Sequence, residues 1–162
     1  MNASSPQEVR VLVVDDEPQI RRFLDISLRA QGYRVLMAET GQAALETLAT
    51  QGADLVILDL GLPDRDGHAV LAALREWSQV PVIIYTGKDL TKTEEAELRQ
   101  LAQTIIIKDV KSPERLLDET TLFLHRVEST LPPEKQRLLD QLHRSDPTLT
   151  GKKALVVDDD IR

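Results

Sequence analysis

Five residues with chemistry to offer, Asp15, Asp16, Asp59, Thr86 and Lys108, each stand at the end of a short apolar run. Together they are three carboxylates, a hydroxyl and an ammonium. Three carboxylates drawn to one edge of a sheet would repel one another strongly at low dielectric unless a cation lay among them. With no His or Cys close by, that set suits Mg2+, a hard ion that keeps several waters and is readily completed by phosphate oxygens. One carboxylate is then free to act as a nucleophile toward a phosphoryl group. The metal, Lys108 and the Thr86 hydroxyl would neutralise or hydrogen-bond the phosphoryl oxygens.

The elements that must deliver these residues follow from the apolar pattern. Runs at 11–14, 34–38, 55–58, 82–85 and 105–107 alternate with stretches of helical period, and four of the five runs are apolar throughout. Strands of that kind are buried on both faces. Ile20, Phe23, Leu24 and Leu28 mark one face of a first helix, with Gly32 placed to end it in the left-handed conformation. Ala44, Leu45, Leu48 and Ala49 do the same before Gly52; Val70, Leu71 and Leu74 mark a third helix. Thr91 with Glu94 offers a capping box for a fourth, and Ser112 followed by Pro113 suits the start of a fifth. Five such β/α units predict a doubly wound parallel α/β domain, and the polar residues after each strand then gather at the carboxyl edge of the sheet.

Length and charge narrow the function classes. A chain of 162 residues suits one domain and an appendage. Its formal net charge of −7, with no basic cluster, argues against a nucleic-acid surface. No apolar run is long enough to cross a bilayer, and the polar start "MNASSPQEVR" lacks the apolar core of a signal peptide, so a cytoplasmic location is expected. The absence of cysteine excludes disulfides and thiolate chemistry.

The segments "VLVVDDEPQIRR", "DLVILDLGLPDRDG", "VPVIIYTG" and "IIIKD" resemble the receiver domains of two-component response regulators, with 27 residues from Asp59 to Thr86 and 22 from Thr86 to Lys108. The resemblance implies a flavodoxin-like five-stranded sheet of order 2-1-3-4-5. It makes Asp59 the phosphoacceptor, Asp15 and Asp16 the Mg2+-binding acids, the Gly61 carbonyl a further ligand, Thr86 the switch hydroxyl and Lys108 the phosphoryl partner. The partner it implies is a sensor histidine kinase or phosphotransfer domain, and the phosphoryl group would be lost by slow hydrolysis. An interaction scaffold with an idle site is the alternative. A haloacid-dehalogenase-like phosphatase would want a second acid where Gly61 stands. Two positions depart from the family pattern: Lys108 precedes Asp109 instead of a proline with a cis peptide, and Ile105 occupies the place of the switch aromatic.

Two branches of the family are visible. Residues up to about 82 resemble the receiver of potassium-responsive transcriptional regulators, and those from 85 onward resemble the receiver-to-receiver segment of hybrid histidine kinases, a pattern expected of a chimera. The expected division is a tail over 1–8, a receiver over 9–128, a linker with a helix over 129–153, and at 154–162 the partial first strand of a second receiver. There "LVVDD" repeats the same letters at 12–16. That strand, if ordered, would pair between molecules and give a homodimer. His68, His125 and His143 carry no partner pattern, Trp77 is expected to pack at the end of the third helix, and "TKTEEAELRQ" to be a solvated helix face.

Overall fold

The structure, a computed structural model, describes residues 8–109 and 111–130. Its elements are β1 (Arg10–Val14), α1 (Pro18–Ala30), β2 (Arg34–Ala38), α2 (Gly41–Gln51), β3 (Leu55–Leu58), α3 (Gly67–Arg75), β4 (Val82–Thr86), α4 (Lys92–Leu101), β5 (Thr104–Ile107) and α5 (Ser112–Thr130). The strands form one parallel sheet of order β2-β1-β3-β4-β5. This is the doubly wound, flavodoxin-like arrangement that the alternation predicted. The linker helix, the second LVVDD and the dimer built on it fall outside the described residues.

Because successive side chains on a strand point to opposite faces, each strand feeds two cores. Val11 and Val13, Leu55 and Ile57, Ile83 and Tyr85 pack on one face beneath Leu24 and Leu28 of α1 and Leu116 and Leu124 of α5. Leu12 and Val14, Val56 and Leu58, Val82 and Ile84 pack on the other beneath α2, α3 and α4. Each large aliphatic side chain taken fully out of water contributes about 1.5–3 kcal/mol, so two continuous cores hold the sheet edge rigid.

The helix ends are set largely by local chemistry. Pro18 opens α1, Thr40 caps α2 through the Ala43 N–H, and Asp66 caps α3 through the His68 N–H. Thr91 and Glu94 form the expected reciprocal capping box on α4. Gly32 and Gly52 carry positive φ angles of 89° and 69°, the left-handed ends that the sequence predicted. Only Leu98 of α4 is buried, as a solvated helix face requires.

Some expectations are corrected. Trp77 lies beyond the end of α3 and is 51% exposed, because α3 anchors itself through Val70, Leu71 and Leu74 and needs no cover there. Ala49 faces solvent, since it lies off the face of α2 that buries Ala44 and Leu48. Ser112 begins α5, but its hydroxyl bonds to Asp109 and Tyr85. The described backbone contains no cis peptide, so the Lys108–Asp109 bond is trans.

Candidate functional site

Register brings the acids together. Val14 pairs with Ala38 on one side and Leu58 on the other, so the residues that follow, Asp15 and Asp59, leave neighbouring strands at the same level. The ladder continues one step further, with the Asp15 N–H donating to Ala38 O (3.1 Å) and the Asp59 N–H to Val14 O (2.9 Å). Thr86 pairs with Ile107, and the Lys108 N–H donates to Thr86 O at 2.9 Å, which lifts the lysine to the same edge.

There the Lys108 ammonium lies 3.0 Å from Asp15 Oδ2, 3.0 Å from Asp59 Oδ2 and 2.7 Å from Glu17 Oε1. Each buried acid uses its other oxygen on a loop amide: Asp15 Oδ1 accepts from the Glu17 N–H (2.9 Å) and Asp59 Oδ1 from the Gly61 N–H (3.1 Å). Arg21, one turn into α1, donates to the Asp15 carbonyl and to Glu39, fixing the β1–α1 loop from outside.

Burial sets the electrostatics. It pushes the Asp15 carboxyl above its ordinary value, and the Glu17 amide and Lys108 recover only part of that cost. Burial also works against the Lys108 ammonium, but its hydrogen bonds to Glu17, Asp15 and Asp59 outweigh it and hold the group above the usual lysine range. One cation thus serves three carboxylates. One ligand oxygen each from Asp15, Glu17 and Asp59 lies within 4.8 Å of the others, an all-oxygen set of the kind that hard divalent ions take.

The structure brings together Asp15, Asp59 and Lys108, and with them Glu17, which sequence reasoning missed. Pro18 opens α1 directly after it, and the Glu17 side chain makes no capping bond to α1 but accepts from Lys108. Asp16 is exposed and stands outside the three-acid group. The Thr86 residue is wholly buried, with its Oγ1 accepting from the Lys88 N–H at 3.1 Å. Gly61 is exposed beside Asp59, where an added Cβ would lie 3.8 Å from Asp59 Oδ1. His68 is partnered after all, through Asp66, whose carboxyl it helps hold down at about 2.

The β3–α3 loop is clamped by contact. A Cβ on Gly67 would meet the Leu60 Cα at 2.4 Å, and Asp64 accepts from the Gly41 and Gln42 amides at the start of α2. Asp59 therefore projects from a segment whose two ends are fixed.

Residues 11–121 match the family model described as the response regulator receiver domain. The chain belongs to that family. Among curated relatives of this receiver are the transcriptional regulatory protein KdpE of Mycobacterium tuberculosis, 53% identical over 78 residues (48% of this chain, 34% of that protein), and the probable transcriptional regulator ycf27 of Porphyridium aerugineum, 36% identical over 122 residues (75% of this chain, 50% of that protein). The receiver chain spans about a third to a half of the length of these relatives. Among solved structures, a CheY-like receiver domain protein from Methanospirillum hungatei JF-1 superposes with a TM-score of 0.66 at 27% identity, covering 76% of this chain and 98% of that one. The response regulator TrrA of Thermotoga maritima, solved in complex with Mg2+-BeF, gives 0.59 at 30% identity, covering 70% and 98%. Among the described residues no receiver helix is long and apolar enough to cross a membrane.

Proposed function

We propose that this receiver takes a phosphoryl group onto Asp59 in a Mg2+-dependent two-component relay. The observation that carries the reading is the Asp59 carboxylate, buried and joined through Lys108 to Asp15 and Glu17. An Asp59 oxygen attacks phosphorus while the bond from phosphorus to the donor breaks, the electron pair leaving on the imidazole nitrogen of a kinase or phosphotransfer phosphohistidine, or on the acetate oxygen of acetyl phosphate. Hydrolysis of the acyl phosphate by water then restores Asp59. Lys108 shifts its ammonium from carboxylate to phosphoryl oxygen, and the Thr86 hydroxyl, released from the Lys88 amide, hydrogen-bonds another. Asp15 and Asp59, with Asp16 and the Gly61 carbonyl, would hold Mg2+, and Glu17 supplies a further oxygen at the same place. The ion, when bound, neutralises developing charge on the phosphoryl oxygens.

That a protein of similar fold was solved in complex with Mg2+-BeF supports the reading. Membership of the family supports a histidine-kinase or phosphotransfer partner and a cytoplasmic setting as part of the same proposal. For the hybrid-kinase branch of a joined receiver the support is a partial match to the sensor kinase/phosphatase CqsS of Vibrio cholerae, 39% identical over 93 residues. A natural receiver matching residues 1–82 and 83–162 equally well would refute the join.

The direct test is acetyl phosphate with and without Mg2+, read by intact mass. The expected result is one added phosphoryl group in the presence of the ion, and none on Asp59→Asn. Equal uptake by that variant sinks the assignment.

A further inference from the structure

The residue that follows Lys108 is Asp109, and its backbone amide is put to use. A proline at that position has no N–H to donate. Asp109 has one, and it donates to Ser112 Oγ at 2.8 Å. The Ser112 hydroxyl gives its own proton to the Asp109 carbonyl at 2.7 Å. The Tyr85 hydroxyl lies 2.8 Å from the same Oγ, and since the serine proton is already committed, tyrosine is the donor. Ser112 Oγ thus makes one donated and two accepted bonds, its full capacity, in a place where Ser112 and Tyr85 are each 1% exposed.

Tyr85 reaches the site from its other end as well. Its ring lies beneath Lys108, with the ammonium 5.3 Å from the centroid, inside the range of a cation–π contact. The residue that holds the turn after β5 is therefore also the floor under the lysine that the turn delivers. We infer that Tyr85 and Ser112 are positioning residues for Lys108, a hydrogen-bonded latch on the trans Lys108–Asp109 turn. The inference rests on the proposed role of Lys108 toward the phosphoryl group, and it extends that role to two residues which touch no reacting atom.

The test uses the full chain with Tyr85→Phe, which keeps the ring and removes only the hydroxyl, Ser112→Ala, and Asp109→Asn, which keeps the backbone donor. Two readouts are needed: the rate of phosphorylation by acetyl phosphate with Mg2+, and the Lys108 ammonium signal by nitrogen-15 NMR on the unphosphorylated protein. The rate is expected to fall roughly tenfold in Tyr85→Phe and Ser112→Ala, as a loosened reacting group does, and to stay at the parent value in Asp109→Asn. The ammonium signal should broaden or vanish in the first two through faster exchange with water, and persist in the third. Thermal melts identify any variant that has not folded; Tyr85→Phe, the smaller change, then carries the test. An ammonium signal unchanged in Tyr85→Phe overturns the inference whatever the rate does, as does a parent rate in that variant. If the parent protein takes up no phosphoryl group while its ammonium signal still depends on Tyr85, the proposed function fails and the latch stands.

Discussion

The loop after β3 and the loop after β5 each bring one charged side chain to the same pocket, and they are fixed by different means. The first is held by steric contact, with Gly67 seated so close to Leu60 that a methyl group has no room. The second is held by hydrogen bonds exchanged between Ser112 and the Asp109 backbone, with Tyr85 bonded in turn to Ser112. Contact couples a loop to the fold, because any change of volume must move packed neighbours. Hydrogen bonds can be removed one at a time with the packing left in place. Asp59 is thus guarded by the stability of the domain, whereas the aim of Lys108 is adjustable without unfolding it.

Gly67→Ala tests the contact side and should have the largest effect on stability. Overpacking against backbone costs about 1–3 kcal/mol, which for a domain of this size lowers the melting temperature by several degrees. A melt superimposable on the parent would mean that the acceptor loop yields, and the contrast between the loops would disappear. The pocket where the two loops meet gives the second test. Asp15 has its carboxyl raised by burial, and for an acid that shift subtracts stability once the pH passes the unfolded value of 3.8. A divalent ion that binds only the folded pocket should offset this: at ten times its dissociation constant, Mg2+ adds about 1.4 kcal/mol. Melting curves at neutral pH, indifferent to millimolar Mg2+, would count against the metal site.

The smallest effect belongs to Asp66, where the acceptor loop does rely on hydrogen bonds. Its carboxyl is held at about 2 by His68, through side chain and amide, and by Lys88. Because that value lies below the unfolded one, the contribution is complete above pH 4 or so and is lost as the pH falls toward 2. Half exposure screens it to under about 1 kcal/mol. Asp66→Ala should lower stability at pH 7 by about 1 kcal/mol, the capping bond included, and flatten the acid limb of the stability curve. An acid limb identical to the parent would remove Asp66 from the account.

What the sequence made legible divides along the same line. Continuous apolar runs are legible because burial on both faces leaves no polar position, and β1, β3, β4 and β5 fall where those runs stand; β2, at the sheet edge, opens on Arg34 and is partly exposed. Caps and left-handed glycines are local chemistry, so Thr91 with Glu94, Gly32 and Gly52 were readable too. Asp15, Asp59 and Lys108 could be collected because strand ends in such a sheet share an edge. Glu17 could not: its reach to Lys108 spans 91 residues of sequence and depends on how α1 leaves β1. Tyr85 read as one more apolar letter of β4, since nothing in a single sequence says where a buried hydroxyl finds its acceptor. Trp77 was misjudged by size, a large aromatic being assumed to need cover that α3 does not supply.

One lysine shared by three acids also fixes the valence that the pocket can accept. Asp15, Glu17 and Asp59 share a single ammonium, so by formal charge two negative charges remain unmatched. A monovalent ion entering from solvent leaves one of them standing, whereas a divalent ion brings the pocket to neutrality. On the proposed function, a phosphoryl group would arrive carrying fresh negative charge, and the ammonium is the mobile countercharge among these residues that could turn toward it. The pocket would then act as an ion exchanger with one tethered counterion, its acids taken over by the metal and its lysine released to the next partner.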